Sequence, residues 1–90
     1  MKDTKQLSDK INELIVKLDE TKNSTSDFYK KILNEIHSTE NVKELNGLLS
    51  NIITSSKIKD LGGYNKNQCE LWNQMWSIAN DLRQGNVKIK

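Results

Sequence analysis

The sequence predicts an all-α protein, an antiparallel up-down-up-down four-helix bundle. Three observations carry that expectation. Apolar residues recur at helical spacing in four separate stretches. The connections between them are short enough to fold consecutive helices back on one another. Ninety residues contain no proline and only four glycines, so little interrupts long elements. No alternating strand pattern competes, apart from an extended-compatible stretch at Val87 to Ile89. The length fits one domain over residues 1–90, closed by a short basic tail at 86–90.

The first stretch sets Leu7, Ile11, Leu14, Ile15 and Leu18 on one face, with Val16 on the far side toward solvent. Residues 21–26 are cap- and turn-forming types, and Ser26 or Asp27 is positioned to cap the next helix. That helix carries Phe28, Tyr29, Ile32, Leu33 and Ile36 and fades at His37 to Thr39. Asn41 opens the third, with Glu44 placed to complete a capping box. Val42, Leu45, Leu48, Leu49, Ile52 and Ile53 form its stripe, and Gly47 lies opposite. Ser55 and Ser56 weaken its end, and Asp60-Leu-Gly-Gly63 breaks it. The fourth start reads as Asn67 with Glu70 three residues on; Gly85 is the stop, with Arg83 in the last turn.

Composition narrows the function. No apolar run approaches the roughly 18 residues of a membrane span, and Met1 to Lys10 contains no secretory apolar core. Cys69 is the single cysteine, which excludes an internal disulfide and fits a reducing compartment, so a cytoplasmic location is expected. Of the 14 basic residues only Arg83 is arginine. Arginine is the usual reader of phosphate and guanine, so its scarcity counts against a nucleic-acid partner, including a helix-turn-helix across Ile58 to Asn80. Abundant Lys, Asn and Ile with little Arg is what AT-rich coding sequence produces, as in low-GC bacteria and their mobile elements.

Chemistry-bearing motifs are sparse. The sequence has no glycine-rich phosphate loop, no histidine pair and no cysteine pair at zinc spacing, so no cofactor, no metal and no catalysis are expected. His37 suits a helix C-terminus electrostatically, and Cys69 reads as a half-buried filler. Surface recognition is what remains. On the fourth helix the apolar residues Leu71, Trp72, Met75, Trp76, Ile78, Ala79 and Leu82 cover an arc of about 160°, wider than a small bundle covers. Leu71, Met75, Ile78 and Leu82 form the expected inward seam. Trp72 and Trp76 lie along one edge, where a half-exposed indole beside Tyr64 and the basic tail would form a docking patch.

The stretch Ser38-Thr-Glu-Asn-Val-Lys-Glu-Leu-Asn-Gly-Leu-Leu-Ser-Asn-Ile-Ile-Thr-Ser-Ser-Lys-Ile58, followed by a polar loop and a final amphipathic helix, resembles the immunity proteins of pediocin-like bacteriocins, in particular the enterocin A and leucocin A immunity branch. The resemblance covers about two-thirds of the chain, from the second helix onward. It implies protection of the producing cell from its own bacteriocin. The implied partner is a membrane-embedded sugar permease, the mannose phosphotransferase permease with bacteriocin engaged, met from the cytoplasm and so close to the membrane. In that family the C-terminal half selects the bacteriocin. Carried over by region, this points to Tyr64, Trp72, Trp76, Lys88 and Lys90. The alternative expectation is a small helical interaction module or inhibitor from a phage or plasmid, using the same aromatic edge on a soluble partner.

Overall fold

A computed structural model describes residues 4–86. The chain is all-helical there: α1 (Lys5–Glu20), α2 (Ser26–Ser38), α3 (Val42–Ile53), α4 (Ser56–Leu61) and α5 (Lys66–Asp81), then a π-helical turn over Leu82–Asn86. Among the described residues there is no strand, and no helix is long and apolar enough to cross a membrane. The stretch from Val87 to Ile89 lies outside them.

Four long helices share one core. The helical stripes supply it: Leu7, Ile11, Leu14, Ile15 and Leu18 from α1, Tyr29, Ile32 and Ile36 from α2, Leu45, Leu48, Leu49 and Ile52 from α3, and Trp72, Met75 and Ala79 from α5. Each large side chain so buried contributes roughly 1.5–3 kcal/mol, which none of these helices could gain alone in water. α1 packs on α2 and α5, and α3 packs on the same two. Val16 stands outside the core at 48% exposure, as its position opposite the stripe requires.

Local chemistry departs from the sequence reading at five helix ends. The third helix does not run on to the Asp60–Gly63 break; it stops at Ile53 and α4 follows as a separate turn and a half. Thr54 and Ser55 end it by turning their hydroxyls back onto the carbonyls of Ser50 (2.8 Å) and Ile52 (2.7 Å), in competition with the helical ladder. At the start of α3, Asn41 caps the amides of Lys43 and Glu44 as expected, but the Glu44 carboxylate accepts from the Thr39 hydroxyl (2.8 Å) instead of reaching back to Asn41. Helix α5 opens on Asn65 and Gln68, not on Asn67 and Glu70. Two overlapping capping registers compete here, and only the neutral amide can be buried without desolvating a charge. Gln68 is 1% exposed. Nor does Gly85 stop the last helix, because the π turn continues through it. Neither Ser26 nor Asp27 caps α2; Asn23 Oδ1 instead takes the Thr25 amide (3.0 Å) and hydroxyl (2.7 Å).

Two turns constrain their residues sharply. Helix α1 closes in a Schellman motif, with Asn23 N–H on Leu18 C=O (2.8 Å) and Lys22 N–H on Asp19 C=O (3.0 Å). That geometry puts Lys22 at φ 55°, the left-handed region where a side chain is strained. At the end of α4 a Cβ on Gly62 would sit 2.6 Å from the Ile58 carbonyl oxygen and 2.9 Å from the Tyr64 ring. Lys22→Gly is therefore expected to raise the unfolding free energy by about 0.5–1 kcal/mol. Gly62→Ala is expected to lower it by at least about 1 kcal/mol. Urea titrations of both variants check the opposite signs.

Candidate functional site

Most polar groups of the interior gather at one end of the molecule, where the α1–α2 turn, the α3–α4 junction and the start of α5 meet. Ser8, near the start of α1, is the exception, its buried Oγ without a hydrogen-bond partner among the described residues. The Trp72 indole N–H donates to the Tyr29 hydroxyl at 2.8 Å, and Tyr29 and Ser55 share a 3.0 Å bond. Ser55 in turn donates to Ile52 C=O, so its oxygen is left to accept and the Tyr29 hydroxyl donates to it. Beside this relay the Tyr64 hydroxyl lies 2.8 Å from Thr25 Oγ1, whose proton is committed to Asn23; Asn23 Nδ2 donates to Gly62 C=O at 2.7 Å. Gln68 closes the set, donating to Lys17 C=O (2.9 Å) and the Thr21 hydroxyl (2.8 Å) while it caps α5.

These bonds decide where the expected docking residues stand. Trp72 is 4% exposed and belongs to the core, so it offers no surface to a partner. The physical reason is its N–H, which finds its acceptor on α2, across the core. The buried arc of α5 is accordingly Trp72, Met75 and Ala79, turned by about 60° from the expected seam toward the tryptophans. Leu71, Ile78 and Leu82 are left only partly buried.

Trp76 remains 36% exposed, with its N–H on the Ile53 carbonyl at the C-terminus of α3 (3.1 Å). Its polar atom is thus satisfied, and what faces solvent is the aromatic face and edge. Tyr64 is half-buried with its hydroxyl held by Thr25. Lys88 and Lys90 lie outside the described residues. Of the five expected contact residues, Trp76 is the one the structure leaves as a large exposed apolar group.

Other features had little or no sequence signal. The Lys59 ammonium sits 4.6 Å from the Trp72 ring centroid, a cation–π contact that seals the outer face of the buried indole. Leu61 is 87% exposed at the end of α4. A groove of about 380 Å³ runs between α1 and α5 past Val16 and Leu71, rimmed by Glu13, Lys17 and Glu70. The spacing within α4 would have placed Leu61 near Lys57, but nothing in the sequence distinguishes a solvent-facing leucine from a core one.

Among the described residues, three of the four titratable groups that depart from ordinary behaviour serve the same end of the molecule; the fourth, Lys5 at the start of α1, is raised by its bond to Asp9. Burial pushes the Tyr29 and Tyr64 phenols up. The Ser26 hydroxyl and the Lys30 ammonium, 3.2 Å away, hold the Asp19 carboxyl below the usual range and tie the end of α1 to the start of α2. His37, in the last turn of α2, lies about 12 Å along the helix from Tyr29 at 1.5 Å per residue, whereas Cys69 Sγ sits 3.9 Å from the Tyr64 carbonyl in the first turn of α5. Among the described residues no three His, Cys, Asp or Glu side chains gather to hold a metal ion.

No protein-family model, curated protein or solved structure matches the chain.

Both tyrosines keep their protons longer in the folded than in the unfolded chain. Their contribution to stability is fully present below the ordinary phenol value of 10.0 and is lost as the pH rises above it. Urea midpoints are expected to fall as the pH is raised from 7 to about 11.5, less steeply in Tyr29→Phe. At neutral pH that variant should be about 1–3 kcal/mol less stable, because Trp72 N–H loses its acceptor.

Proposed function

We propose that the chain is a non-enzymatic immunity protein, an antiparallel up-down-up-down bundle that protects a bacteriocin producer. In this reading it acts in the cytoplasm and recognises the mannose phosphotransferase permease once a pediocin-like bacteriocin has engaged it. The bundle topology is supported by which ends meet. Gln68 at the start of α5 bonds Lys17 and Thr21 at the end of α1, and Lys30 near the start of α2 pairs with Asp19 near the end of α1. Tyr29 early in α2 meets Ser55 just past the end of α3.

The functional reading draws on the likeness of residues 38–58 and the final helix to that family. The structural observation that carries it is Trp76. An indole 36% exposed, with its N–H already bonded to Ile53, presents a rigid apolar face that needs no further polar partner. Tryptophan is enriched among the residues that anchor protein interfaces, and it gains most when a partner excludes water from its face. A cytosolic enzyme would need a constellation of activated groups, whereas a recognition protein needs only such an anchor on a rigid helix.

Expression in a bacteriocin-sensitive host is expected to confer resistance to at least one member of a panel of pediocin-like peptides. Trp76→Ala should weaken that protection about 30-fold, the equivalent of a 2 kcal/mol interface anchor. The same variant should remain helical by circular dichroism. Unchanged sensitivity of the host to every peptide of the panel would contradict the reading. Capture of a soluble enzyme without any permease component would favour the phage or plasmid inhibitor instead.

A further inference from the structure

Leu61 is 87% exposed, far more than Val16 (48%) or Trp76 (36%). It closes α4, and Lys57, four residues earlier, shares its helical face. A hollow of about 560 Å³ separates this pair from Lys22 in the facing α1–α2 turn. Its lining includes these two lysines and no acid, whereas the α1–α5 groove sets Glu13 and Glu70 against Lys17. Neither Lys22 nor Lys57 has an ion-pair partner among the described residues. Asp60, the one acid of α4, lies about 100° round the helix from Leu61 and does not line the hollow.

We propose that this end of the molecule docks on an anionic lipid bilayer, with Leu61 entering the headgroup region and Lys22 and Lys57 meeting the lipid phosphates. Leu61 stands 87% exposed on the rim of a wide, open hollow that does not enclose it, so what covers it is best supplied by a broad surface. A bilayer supplies apolar depth and negative charge together without requiring complementary shape. Lysine suits the task, because its long stem lies along the apolar boundary while the ammonium stays at the phosphates. The contact is weak by construction, with two cations and one apolar anchor, and so reversible. It does not rest on the immunity reading, which assigns partner recognition to Trp76.

The test is flotation of the purified full chain with vesicles of phosphatidylcholine alone or mixed with phosphatidylglycerol, at low ionic strength. Binding is expected on the phosphatidylglycerol vesicles only. It should be lost at roughly 0.5 M salt, where charges are screened beyond a few ångströms. Lys22→Gly and Lys57→Gln should each lower the partition constant about fivefold, and Leu61→Ser about tenfold. Lys22→Gly also relieves the φ 55° backbone, so weaker binding by that variant cannot come from unfolding. No flotation with anionic vesicles, or variants that float like the parent chain, would overturn the proposal. A chain that floats but gives no bacteriocin resistance would leave this inference standing and remove only the immunity reading.

Discussion

One buried relay, Trp72 N–H to Tyr29 O–H to Ser55 O–H to Ile52 C=O, is the constraint on which the rest of this structure depends. Its members belong to α5, α2 and the α3–α4 junction, so a single line of hydrogen bonds sets the relative position of three helices. Tyr29 is fully buried, and Trp72 and Ser55 nearly so, which makes an unmade bond costly. The direction of donation is the same at every step, from indole to hydroxyl to hydroxyl to carbonyl, and chains of that kind polarise one another. Apolar packing alone would let the helices rotate and slide; the relay selects one rotation.

The consequences spread outward from it. Drawing Trp72 inward turns α5, which leaves Leu71, Ile78 and Leu82 only partly buried along one edge and Trp76 exposed along the other. Turning the Ser55 hydroxyl onto Ile52 ends α3 and leaves α4 as a separate short helix. There Gly62 lets the Tyr64 ring approach, Asn23 holds the Gly62 carbonyl, and Leu61 is left outside. Both surfaces proposed to act, the Trp76 edge and the Leu61 end, are thus by-products of how a small core satisfies its polar atoms.

Much of this was legible in the sequence. The four long helices follow from where Leu and Ile recur, because a helix this short is stable only if it buries a continuous stripe. The excess apolar circumference of the last helix was legible too. Its rotation was not, since helical spacing gives an arc but not which part of it faces the core. That choice depended on Tyr29, 43 residues away. The α3–α4 break was hidden for the same reason: Ser55 reads as an ordinary serine until its partner across the core is known. The start of α5 was misread because two Asn-x-x-acid-or-amide patterns overlap, and burial against α1 picked the uncharged one.

The role of the relay is measured most directly by a double-mutant cycle between Tyr29→Phe and Ser55→Ala, two substitutions that remove hydroxyls and nearly preserve shape. If the hydroxyls act as members of one chain, the two losses of unfolding free energy should fall short of additivity by about 1 kcal/mol. Losses that add to within roughly 0.3 kcal/mol would mean the hydroxyls act independently and that packing alone sets the helix rotation.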